Sequence, residues 1–240
     1  MSKAVGFAPR VIFVAIIAVV MTFFNNAQLC AQVGELEVRE GTGIPAEVRN
    51  MYRKGADYLA KTQNDDGSWG KGGGGHGDET AGTAALATMA FLSTGEDPNF
   101  GKYARNVRAA LRFIIRKQND KTGYVPGNMY VHGFAMLALS EAFGVVDEDM
   151  LWEGERKKDR KIGEALELAV KLAVSSQKKN PSKAWRYSPN AKDADTSIAG
   201  AVLMGLLAAR NAGVDVPDSA IDGALKYMNC LLYTSPSPRD

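Results

Sequence analysis

The stretch Gln63–Trp69, "QNDDGSW", closes a helix-like run with a glutamine, an acidic turn, a glycine and a tryptophan. One loop of this kind says little. The segment recurs in altered form: "GADYLAKTQNDDGSW" (Gly55–Trp69) is echoed by "ALRFIIRKQNDKTGYV" (Ala110–Val125) and by "AVKLAVSSQKKNPSKAWRY" (Ala169–Tyr187). In each copy a small residue stands eight positions before the glutamine, and Gln63, Gln118 and Gln177 follow at steps of 55 and 59 residues. A period of that length holds two helices and two loops, so the repeated unit is supersecondary.

Outward from this core, both ends of the chain change character. Lys3 and Arg10 precede the apolar run "VIFVAIIAVVMTFF" (Val11–Phe24), and small Ala31 offers a cleavage position. A bilayer-spanning helix needs ~20 apolar residues. The shorter run, followed by Asn25, Asn26 and Gln28, predicts a signal peptide over residues 1–31 and hence a secreted or periplasmic protein, with an uncleaved anchor as the alternative. Residues 32–44 read as a linker. At the other end "GALKYMN" (Gly223–Asn229) restarts the helical pattern, whereas "CLLYTSPSPRD" (Cys230–Asp240) resembles the translation of a transposase adapter used in sequencing libraries. Residues 230–240 are therefore set aside, the last helix is expected to stop at Asn229 with an unpacked tail, and the repeat domain, residues 45–229, is expected to be incomplete at its carboxyl end.

Residues 32–229 carry 26 basic and 26 acidic residues and no cysteine. The balance leaves no cationic surplus for phosphates, which argues against nucleic acid as a partner. Without cysteine this segment has no thiolate metal site, thiol nucleophile or disulfide.

Between the joints the period is helical. "PAEVRNMYRKGADYLAKTQ" spaces Val48, Met51, Tyr52, Tyr58 and Leu59 along one face and charges along the other, the pattern of an outer helix. "ETAGTAALATMAFLST" (Glu79–Thr94) is nearly uncharged and rich in alanine and glycine, the pattern of an inner one. The alternation continues through outer "KYARNVRAALRFIIRKQ", inner "YVHGFAMLALSEAFG", outer "DRKIGEALELAVKLAVSSQ" and inner "DTSIAGAVLMGLLAARNAG". Seven helices and no strand are expected: an all-α, two-layered chain, either an α/α toroid or a helical solenoid.

Gln63, Gly67 and Trp69 resemble the glutamine-tryptophan repeat of squalene and oxidosqualene cyclases, members of the prenyltransferase-like α/α toroids, and the resemblance covers most of Ala46–Asn229. It implies alternating outer and inner helices, here an open arc of about three and a half helix pairs. It also implies a clasp in which the glutamine amide ties the end of an outer helix to the following turn while the aromatic ring covers the joint. The chemistry supports such a clasp, since Gln63 can satisfy carbonyls left unpaired at a helix end and Gly67 allows a positive φ.

Function then belongs to the loops that precede the inner helices, whose amino ends share one cavity mouth in such a ring. Those loops carry His76, Asp78 and Glu79, then Tyr130 and His132, then Trp185 and Tyr187, all candidate ligand-binding residues. Each has a structural alternative: Asp78 or Asp195 as an N-cap, His132 as a satisfied core histidine. The glycine run Gly72–Gly75 lacks the lysine and hydroxyl of a phosphate-binding loop. "DADTS" resembles the acidic motif with which class II terpene cyclases protonate an alkene or epoxide, which implies Asp193 and Asp195 as catalytic, although Thr196 stands where the strongest form of the motif has another aspartate. That role needs a carboxylic acid kept protonated. The Asp-Cys-His zinc set of protein prenyltransferases and the Cys-Gly-Glu-Gln motif of thioester proteins are both missing. No metal and no cofactor is expected. The resulting expectation is an exported cyclase-like scaffold with a central apolar cavity for an apolar or isoprenoid ligand or another exported protein, meeting the membrane only through its signal segment. The alternatives are a class II terpene cyclase with an aspartate general acid and a polysaccharide-processing toroid enzyme.

Overall fold

The computed structural model describes residues 45–70, 80–155 and 159–234, with side chains described as far as Cys230. The expected signal peptide and the linker lie outside the described residues. Residues 47–240 fall in one compact unit, which holds all but the first residue of the described helices.

The described residues are all-helical: α1 (Ala46–Thr62), α2 (Thr80–Leu92), α3 (Ala104–Lys117), α4 (Met129–Ala142), α5 (Glu148–Leu151), α6 (Ile162–Lys179), α7 (Thr196–Asn211) and α8 (Asp218–Thr234). The short α5 is additional to the seven expected helices. Asp147 starts it by accepting the Asp149 N–H at 2.9 Å, and it delivers Leu151 and Trp152 to the core.

Two rows form. The sparsely charged helices α2, α4 and α7 pack side by side, while α3 lies against α2, α6 against α4 and α8 against α7. Small residues bring the first row together. A Cβ on Gly133 would stand 2.9 Å from the Ala201 carbonyl carbon and the Val202 nitrogen, and one on Gly205 would stand 2.8 Å from the Gly133 oxygen. Helices α4 and α7 therefore meet backbone to backbone, which no larger side chain at these positions permits. The second row is amphipathic, as α3 shows by burying Val107, Leu111, Ile114 and Ile115 while its arginines face outward.

Two expectations are corrected. The apolar stripe of α1 is not a packing face: Val48, Met51, Tyr52 and Tyr58 are exposed, and within the helix only Ala56 is fully buried. Of the expected stripe Leu59 packs against the core, and Tyr52 reaches α2 through its hydroxyl, which donates to Ala90 O at 2.7 Å. Nor does the last helix stop at Asn229, since α8 runs on to Thr234. Nothing in Cys230-Leu231-Leu232-Tyr233 breaks a helix, and the first breaker is Pro236, which disfavours helix at the residue before it.

The joints repeat one geometry. Gln63 Nε2 donates to Gly67 O at 3.1 Å and Asn106 O at 3.0 Å; Gln118 Nε2 to Gly123 O at 2.9 Å and Ala165 O at 2.8 Å; Gln177 Nε2 to Lys183 O at 2.9 Å and Ala220 O at 2.7 Å. The first acceptor is always a turn residue of positive φ, at 92°, 75° and 54°. The second lies near the start of the next outer helix, so each glutamine ties α1 to α3, α3 to α6 and α6 to α8. The tie to the following turn is as expected, while the bond to the next outer helix takes the place of the cap expected on the glutamine's own helix end. The indoles bond back to the same helix four residues before the glutamine, Trp69 Nε1 donating to Leu59 O at 2.8 Å and Trp185 Nε1 to Ala173 O at 2.9 Å. In the middle joint Val125 replaces the ring, and Arg160 donates to Ile115 O at 3.0 Å and Gln118 O at 3.2 Å.

Glycine at the turn is required twice. A Cβ on Gly67 would lie 2.1 Å from Ala109 O, and one on Gly123 would lie 2.2 Å from Leu168 O. At the third joint the turn residue is Lys183, and the helix position facing it is Gly223, where an added Cβ would sit 3.2 Å from Lys183 Cβ. The missing side chain has changed sides of the joint, and the space is conserved.

Candidate functional site

His76, Asp78 and Glu79 lie outside the described residues. The remaining candidates separate into buried structural groups and exposed ones.

His132 is a corrected candidate. It is fully buried one turn into α4, where Nδ1 accepts the Val125 N–H at 3.2 Å and Nε2 lies 3.1 Å from Ala169 O. An amide donor at Nδ1 and a carbonyl at Nε2 fix the neutral tautomer with its proton on Nε2. Burial lowers its pKa to about 4, opposed by the bond to Ala169. The imidazole links Val125, at the end of the middle joint, to the α6 backbone, and it is fully enclosed. Trp185 is likewise enclosed, at 1% exposure, with its N–H used on α6.

Asp195 is the N-cap of α7. One carboxylate oxygen accepts the Ser197 N–H at 2.9 Å, the Ile198 N–H at 3.2 Å and the Ser197 hydroxyl at 2.6 Å. The Ser197 hydroxyl first, then the Ile198 amide, holds the carboxyl below the usual carboxylate range. A general acid needs the opposite shift. Asp193 is exposed and pairs with Arg186 at 3.1 Å, while its backbone oxygen accepts from the Asn180 amide at 2.9 Å. The two carboxylates thus cap and pair; neither is a sheltered proton donor.

Tyr130 and Tyr187 are exposed, and the structure brings their segments together. Met129 N–H donates to Tyr187 O at 2.9 Å and Asp195 N–H to Trp185 O at 2.9 Å, so the 185–195 loop bridges the amino ends of α4 and α7. Tyr130 stacks edge-on with Phe134 at 4.8 Å between ring centroids. From this point an uncharged stripe runs down α4 through Phe134 and Leu137, both half-buried. Neighbouring α2 offers Leu86 at 50% exposure, and neighbouring α7 offers Met204 at 54%. These four side chains were missed from the sequence because candidates were sought in loops; their signal is the spacing of large apolar residues within alanine-rich helices.

Among the described residues no group of three or more histidine, cysteine or acidic residues is placed to hold a metal, and no helix is long and apolar enough to cross a membrane. Comparison with protein-family models, curated proteins and solved structures returned no match for this chain.

Proposed function

We propose that the protein is an exported helical-repeat scaffold of the squalene-cyclase-like α/α-toroid type, and that the open face of α2, α4 and α7 binds an apolar or isoprenoid ligand. The observation that carries this reading is the row of solvent-facing apolar side chains, Leu86, Tyr130, Phe134, Leu137 and Met204, on helices that bear no cation at these positions. Covering a half-exposed side chain of this size contributes on the order of 1 kcal/mol, so several together suffice for a ligand of the length of a short polyprenyl chain. Support for the toroid comes from the three like joints, because a repeated step between outer helices accumulates into curvature. The cyclase alternative is disfavoured by the state of Asp195, which is held ionised where that chemistry wants a protonated acid.

Equilibrium titration with farnesol and geranylgeraniol, with product analysis on squalene, tests the reading. Saturable binding is expected, weakened about ten-fold by Met204→Glu, which sets a charge in the apolar row. Absence of binding, or binding indifferent to Met204→Glu, removes the proposal, and cyclised product restores the enzymatic one.

A further inference from the structure

We propose that a second site lies on the outer side of α3 and binds an acidic oligosaccharide, a sugar chain bearing carboxylates on successive residues. Arg105, Arg108, Arg112 and Arg116 follow at spacings of three and four, so their guanidinium groups share one face of the helix, opposite buried Val107, Leu111 and Ile114. Successive arginines climb the axis by roughly 4.5–6 Å. Beside this row a groove of about 620 Å³ opens between α1, α3 and the loop after α5, lined in part by Lys102, Arg105, Arg108, Arg112, Asp65 and Glu153.

The row is under-neutralised. Lys102 pairs with Asp57 at 2.6 Å, while Arg112 and Arg116 share the one carboxylate of Glu155 at 3.2 and 2.6 Å. Arg108 donates to the Asn99 carbonyl at 2.7 Å, and neither it nor Arg105 has a carboxylate partner among the described residues. Burial shifts Arg112 downward and its arginine neighbours add to the shift, with Glu155 opposing. A row of planar guanidinium donors suits carboxylate groups, which accept two N–H bonds side by side.

The rest of the lining selects the class of anion. Asp65 and Glu153 repel a ligand made only of closely spaced charges, such as polyphosphate, but they can accept hydrogen bonds from hydroxyls, as can the Asn64 side-chain oxygen. A uronate chain offers one carboxylate and free hydroxyls on each sugar, and so meets both halves of the lining.

The test is calorimetric titration of the full chain with an oligogalacturonate, its methyl ester and inorganic polyphosphate. The oligogalacturonate should bind saturably and at least about ten-fold more tightly than either control, and Arg105→Gln and Arg108→Gln should each raise its Kd about ten-fold. Arg105 is exposed, so its variant should melt with the parent and report on binding alone. Equal affinity for the methyl ester, tighter binding of polyphosphate, unchanged affinity in Arg105→Gln, or no binding of any probe would each overturn the proposal.

Discussion

At the scale of single residues, the two groups that looked most chemical in the sequence are accounted for by the backbone around them. Asp195 holds the amino end of α7, so Asp195→Ala should cost ~1 kcal/mol and Asp195→Asn only a few tenths, since asparagine caps about as well. Thermal or denaturant melts of the two variants measure this; equal losses would mean that the charge and not the cap is what matters. His132 makes stability depend on pH. Its folded pKa of about 4 lies below the unfolded value of roughly 6.5, so between them the unfolded chain takes up a proton that the folded chain refuses. Stability from this group is therefore full above pH ~6.5 and falls as the pH drops toward 4, by roughly 3 kcal/mol in all. Protonated Nδ1–H would face the Val125 N–H, which is why the folded state resists it. Denaturant titrations across that range should show the slope in the parent and a flatter profile in His132→Gln; identical profiles would assign the effect elsewhere.

The elements are joined by clasps whose strength should follow burial. Gln118 is 2% exposed and uses both amide hydrogens, while its oxygen accepts from Arg160 at 3.0 Å. Gln118→Ala should therefore cost ~2–4 kcal/mol, and the part-buried Gln63→Ala less, as measured by denaturant melts. The glycine exchange at the third joint gives a sharper test. Gly223→Ala should destabilise the parent, where the new methyl presses on Lys183 Cβ, and should cost markedly less in a Lys183→Gly background. A double-mutant cycle with no coupling would show that the two positions do not share the space. Lys183→Gly alone should be neutral or stabilising by up to ~1 kcal/mol, because a φ of 54° suits glycine.

Across the whole molecule, cohesion runs through the first row, where α4 touches both α2 and α7. Gly133→Val inserts a branched side chain where a Cβ already has 2.9 Å to the α7 backbone, and should cost more than ~3 kcal/mol. Hydrogen exchange should then lose protection in α4 and α7 together; loss confined to α4 would mean that the row does not act as one body. The described residues leave no buried side-chain nitrogen or oxygen without a partner, so the polar joints add specificity without orphaned groups.

By itself the sequence determined the seven long helices, their alternation between charge-rich and charge-poor kinds, the glutamine spacing, the glycine turns and the capping role open to Asp195. All of these are written in neighbours three to eight positions apart, where helical period and turn chemistry act. Only the tertiary structure decided which carbonyls the glutamines reach, 43, 47 and 43 residues along the chain. It also decided that His132 links Val125 to the α6 backbone, that most of the stripe of α1 stays exposed, that α8 runs to Thr234, and that an arginine row borders a groove. A side chain's period fixes the face it occupies, but what stands opposite that face depends on how distant segments pack, and that is set by the shared space and hydrogen bonds of the folded chain.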